Sequence, residues 1–146
     1  MLKRLHEVAS IREKELNEDT LIYNANMTEM KPEVGHQLPI EMYREGYEYY
    51  VETHFHPNSH SCFLQRNLMD LMVYDPVQFM YLLDQPLLMM VGDHADTNYM
   101  SEQAFELAIT TKEKELYYLK DATHIQTYYK ESVVKEAIEK LDIFYK

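Results

Sequence analysis

The run Pro86-Leu-Leu-Met-Met-Val91 limits the folds open to this chain more than any other feature. It is apolar throughout, stops at Gly92, and shows none of the alternation of a strand with one wet face. Such a run suits a strand buried on both faces, as in a parallel sheet. A second strand is expected at Glu115-Leu-Tyr-Tyr-Leu119. Between them Ser101 reads as the N-cap of a helix from Glu102 to about Ile109. Residues 131–145 read as a closing amphipathic helix, with Val133, Val134, Ala137, Leu141 and Phe144 on its apolar side. The order strand, helix, strand, helix predicts parallel pairing through a right-handed crossover. Two strands alone do not make a stable parallel sheet. The others must lie unrecognised in the first half or come from another chain.

The first half reads as mostly helical. Leu2, Leu5, Val8, Ala9 and Ile11 recur at helical spacing over residues 1–18. Residues 17–39 are polar and turn-rich, and read as a long surface loop or lid. Such a length without structure is uncommon in a compact domain. Residues 40–52 are aromatic-rich and read as helix, 53–62 as a loop around Pro57-Asn58, and 63–73 as a helix with a Leu/Met face. Asp75-Pro76 starts a further short helix. The expected organisation is a helical cap or insertion over residues 1–85 and a βαβα part over 86–146.

Composition narrows function by exclusion. The 146 residues carry a net charge of -11, and the longest basic run is Lys3-Arg4. Nucleic-acid phosphate and anionic membrane surfaces should both repel such a chain. No apolar run approaches the roughly 18 residues of a membrane span. The first residues lack the pattern of a secretory signal, so a cytoplasmic location is expected. The single cysteine, Cys62, excludes an internal disulfide. The three glycines form neither a dinucleotide fingerprint nor a phosphate loop, and none brackets a serine as in the G-x-S-x-G turn.

In open parallel sheets chemistry collects in loops at the carboxyl ends of strands. Here those loops are Gly92-Asp-His-Ala-Asp-Thr-Asn98 and Lys120-Asp-Ala-Thr-His-Ile-Gln-Thr127. If the strands are parallel neighbours, both loops open at one edge. A carboxylate from the first, Asp93 or Asp96, can then orient the imidazole of His124 in the second. That is the acid-and-base half of a nucleophilic triad, in the order Asp then His. The bland alternatives are a helix cap or Asx-turn for Asp96, and solvated loop positions for Asp93 and His94. His54, His56, His60 and Cys62 have donor chemistry suited to zinc, yet their spacing matches no established zinc pattern. A polar loop is the simpler reading, and no metal or cofactor is expected. Tyr43, Tyr47, Tyr49 and Tyr50 could line a lid, but such stripes more often pack their rings on the core.

Residues 86–106 and the stretch Lys114-Glu-Leu-Tyr-Tyr-Leu-Lys-Asp-Ala-Thr-His-Ile125 resemble the acid loop and histidine loop of α/β-hydrolases, especially the dienelactone-hydrolase-like branch. Met42-Tyr-Arg-Glu-Gly-Tyr-Glu-Tyr-Tyr50 and His56-Pro-Asn-Ser59 resemble the helical insertion before the acid strand of that branch. The resemblance implies an α/β fold, part of a three-layer hydrolase sandwich: few parallel strands flanked by helices, with a helical N-terminal insertion. It implies His124 as general base and Asp96 as orienting acid, with Asp93 as the fallback. The implied parent reaction is hydrolysis of an ester, lactone or similar acyl compound. Asp121 stands where that family usually has glycine. The nucleophile elbow, the oxyanion-hole loop and the first strands would lie upstream of the matched region. The expected partners are therefore a small acyl substrate and either a complementary hydrolase fragment or further copies of the chain. A non-enzymatic assembly module is the alternative.

Overall fold

The computed structural model describes residues 2–146. In chain order its helices are α1 (Leu2–Glu18), α2 (Pro32–Gly35), α3 (Glu41–Tyr47), α4 (Leu68–Val73), α5 (Asn98–Leu107) and α6 (Glu131–Phe144). The strands are β1 (Leu87–Gly92) and β2 (Lys114–Leu119). Short 3-10 turns and one π-helical turn, Glu48–Thr53, fill several connections. The chain divides into two compact units.

One unit holds the residues up to Gln37 together with Tyr47–Asp75. Its longest element, α1, is the expected helix, but of the expected apolar positions only Val8 is buried, Leu5 and Ile11 are half-buried, and Leu2 and Ala9 are exposed; Met1, counted in that expectation, lies outside the described residues. Val8 is fully buried, and Glu15 is buried to within 5% exposure despite its charge. Glu15 escapes the usual penalty because Oε1 accepts the Ile22 N–H at 2.8 Å and Oε2 lies 3.5 Å from the Arg66 guanidinium. Arg12 clasps the same segment, donating to the Arg66 carbonyl and to Asp70. The expected loop at 17–39 is not structureless. Asn24 pairs with Phe63 through backbone and side chain, Asn26 caps a 3-10 turn at Met27–Glu29, and Pro32 opens α2. Tyr47 is the largest fully buried side chain, its ring pressed on Gly35.

The other unit holds Leu38–Gly46 and Pro76–Lys146. β1 and β2 pair in parallel, Leu87 opposite Lys114 through Gly92 opposite Leu119. The tyrosines of β2 point to opposite faces, as successive strand residues must. Tyr117 donates to Glu136 on α6 at 2.9 Å, and Tyr118 to Glu102 on α5 at 2.7 Å. These bonds to carboxylates, helped by burial, push both phenols above their ordinary range. Leu119, Ala122 and Val133 form the buried cluster, with Met90, Tyr117 and Ala137 packed against it. α5 starts at Asn98 with Thr97 as N-cap residue, so Ser101 lies inside the helix rather than at its cap.

The three-layer α/β sandwich is not what this chain forms. The described residues are 56% helical, and their only sheet has two strands. The missing strands are not hidden in the first half. There the described residues form helices and turns, and their one extended pairing is the isolated antiparallel bridge between Tyr23 and Leu64. Six helices and one small sheet among the described residues do not make a three-layer sandwich. No helix among the described residues is long and apolar enough to cross a membrane.

Candidate active site

The site is built where the two strands end. Gly92 closes β1 at a close approach of two backbones. A β-carbon there would lie 2.2 Å from the Ala122 carbonyl oxygen. That proximity lets the loops pair. The Asp93 N–H donates to the Leu119 carbonyl, and the His94 N–H to the Ala122 carbonyl, both at 3.0 Å. The Ala122 N–H donates back to Asp93 Oδ1 at 3.1 Å. This last bond, aided by the Asp121 and His94 N–H groups and the His94 ring, holds the Asp93 carboxyl below its ordinary range against partial burial. Asp93 thus staples one loop to the other. Asp121 sits in the left-handed region at φ 50, which favours glycine and tolerates aspartate. Its carbonyl is held by the Lys130 ammonium at 2.7 Å.

His124 is half-buried and engaged on both ring nitrogens. Nδ1 lies 3.3 Å from the Thr97 hydroxyl, and Nε2 lies 2.6 Å from the Tyr128 hydroxyl. Both partners are hydroxyls, so either tautomer satisfies both contacts; in the one with the proton on Nδ1, Nδ1–H donates to Thr97 and the phenol donates to Nε2. Thr97 occupies the N-cap position of α5, yet its side chain caps nothing there. A residue able to cap whose hydroxyl goes instead to an imidazole departs from the local rule, as site residues do.

The two loops do bring the predicted pair to one edge, but no hydrogen bond joins Asp96 to His124. Asp96 is exposed, and its Oδ2 accepts the Met42 N–H at 3.2 Å. That N–H is one of the orphan donors of the first turn of α3. Thr97 therefore stands where the orienting carboxylate was expected. Sequence reasoning missed Tyr128, which the short 3-10 turn Ile125–Tyr128 following His124 carries back to the imidazole. It also passed over Thr97 as anything beyond a cap.

The zinc reading finds no support in the placement of its residues. His54, His56, His60 and Cys62 are all exposed, and they are not gathered into one group. His54 stacks on Tyr49, and the His56 Nδ1 accepts the Asn58 N–H. Among the described residues the one convergence of three metal-capable side chains is Asp93, His94 and Asp121. Of the four tyrosines, Tyr47 is core. Burial, with Glu52 and Glu33 nearby, raises its phenol above the ordinary range. Tyr43 and Tyr50 are exposed.

A solved structure shares this fold. The crystal structure of hypothetical protein PA2218 from Pseudomonas aeruginosa superposes with a TM-score of 0.75 at 20% identity. The match covers 96% of this chain and 43% of that chain, so this chain spans less than half the length of its structural neighbour. No protein-family model and no curated protein matches.

Proposed function

We propose that this chain supplies the acid and base of an acyl-hydrolase triad and works with further polypeptide that carries the nucleophile. One observation carries the reading. At the carboxyl edge of two parallel strands, a half-buried imidazole has a hydroxyl on Nδ1 and another on Nε2, the two positions of orienter and nucleophile. His124 is the general base. Asp96 is the orienting acid, replacing its chain neighbour Thr97 on Nδ1 when it leaves the Met42 N–H. A carboxylate there stabilises the imidazolium that forms during attack; the Thr97 hydroxyl only orients the ring. The substrate is an ester, lactone or similar acyl compound. The partner adds to the unpaired edge of β1 or β2. A reducing cytoplasm suits the exposed thiol of Cys62.

The test is co-expression with the reading frame that precedes this one in its genome, followed by p-nitrophenyl butyrate hydrolysis and labelling with a serine-directed fluorophosphonate. His124→Ala should lower kcat by about 10³-fold or more, and Asp96→Asn by about 10²-fold to 10⁴-fold, with KM little changed. Rates within twofold of wild type, or a preceding frame without a G-x-S-x-G turn, would overturn the reading. An assembly that forms without catalysis would favour the binding-module alternative, for which the open strand edges speak.

A further inference from the structure

The Tyr128 hydroxyl is the shortest contact of the catalytic candidate, 2.6 Å from Nε2. It points to an activity this chain can carry without another polypeptide. A phenol whose proton is shared with an oriented imidazole is an activated nucleophile by the same logic as a Ser–His pair. Tyr128 as a residue is 44% exposed. Its ring also forms a wall of an open groove of about 680 Å³, shared with Tyr129, Val134 and Ile138 and rimmed by Lys135 and Glu139. That groove is apolar enough to hold a hydrocarbon acyl chain against the Tyr128 side chain.

We infer that Tyr128 is an acyl acceptor, taking the acyl group of activated esters with an apolar acyl chain under general-base assistance from His124. The phenolic oxygen bonds to the carbonyl carbon as its proton passes to Nε2. The bond from that carbon to the leaving oxygen then breaks, and the leaving alcohol departs with the proton from the imidazolium. The products are O-acyl-Tyr128, neutral His124 and the free alcohol. An aryl ester is itself labile, so water deprotonated at Nε2 returns the tyrosine and the carboxylic acid. The chemistry is confined to esters with good leaving groups, which need the least stabilisation of the oxyanion. The inference shares His124 with the proposed function but not its nucleophile, so either can fail alone.

The experiment uses the chain by itself with p-nitrophenyl acetate near neutral pH. Nitrophenolate release is followed, and acetylated residues are located by peptide mass spectrometry. Tyr43 is the internal control, because it is exposed to 47%, nearly the same as Tyr128. Tyr128 should acetylate about 10²-fold or more faster than Tyr43, the usual worth of a positioned base. His124→Ala should bring the two tyrosines to equal rates, and Tyr128→Phe should remove the rapid phase of nitrophenolate release. Equal rates in the wild-type chain would overturn the inference without reference to any variant. So would a rapid phase that survives Tyr128→Phe. Neither result bears on the hydrolase reading, whose assay requires the second polypeptide.

Discussion

Gly92→Ala is the most telling single change in this structure. The new β-carbon would meet the Ala122 carbonyl oxygen at 2.2 Å and the Thr123 oxygen at 3.0 Å, where ordinary contact begins at 3.4 Å. These are backbone atoms, so no side chain can swing aside. The two loops must part by about 1 Å, an overpacking cost of about 1–3 kcal/mol. The bond from the His94 N–H to the Ala122 carbonyl, now 3.0 Å, then stretches past useful length, adding about 1 kcal/mol. A total near 3 kcal/mol lowers the melting temperature by about 10 °C in a chain of this size. Gly46→Ala is the matched control. Its β-carbon would meet only the Ile125 side chain, at 3.7 Å, and it lies in α3. Alanine there is expected to be neutral or to stabilise by up to about 1 kcal/mol. Thermal melts of the two variants by circular dichroism decide the matter. If both shift Tm alike, or if Gly92→Ala stays within about 2 °C of wild type, the stapled-loop geometry is wrong. Because His124 follows Ala122 by two residues, Gly92→Ala should also slow Tyr128 acetylation.

Asp121→Val, forced into the left-handed region, should destabilise by about 1–2 kcal/mol, whereas Asp121→Gly should not; urea melts of the pair read the difference. Asp93→Asn should be less stable than wild type at neutral pH. The folded carboxyl titrates below its unfolded range, so the wild-type advantage is complete above about pH 5 and shrinks as pH falls through the depressed value. A stability difference that does not change with pH would refute the staple's charge. Val133→Ala, at a position 1% exposed in the Leu119–Ala122 cluster, should cost about 2 kcal/mol in the same melts with the slope unchanged.

The second half was readable because its signals are local. The apolar run ending at Gly92, the aromatic strand at Glu115–Leu119 and the amphipathic closing helix each announce themselves within a window of residues, and the parallel pairing follows from their order. The sandwich expected from the resemblance was not legible in the same sense. It required strands the pattern never showed, and the first half spends those residues on helices instead. Ser101 misled because a good capping residue also occurs inside helices; the true boundary lies at Thr97, whose hydroxyl is diverted to His124. At the site, sequence order brought Asp96 and His124 to the same edge. It could not show that Asp96 would turn to the Met42 N–H, because that competition is between residues far apart in the chain.

The two-stranded ladder leaves a signature in time as well as in space. Its phase is set at both ends, by the Leu87 N–H on the Glu113 carbonyl and the Asp93 N–H on the Leu119 carbonyl. With a strand period of two, the amides of Leu87, Met89, Val91 and Asp93 face β2, while those of Leu88, Met90 and Gly92 face the edge where no third strand lies among the described residues. Deuterium uptake along β1 should therefore alternate residue by residue, slow at Met89 and Val91 and fast at Leu88 and Met90. Any polypeptide that adds a strand there would erase the alternation.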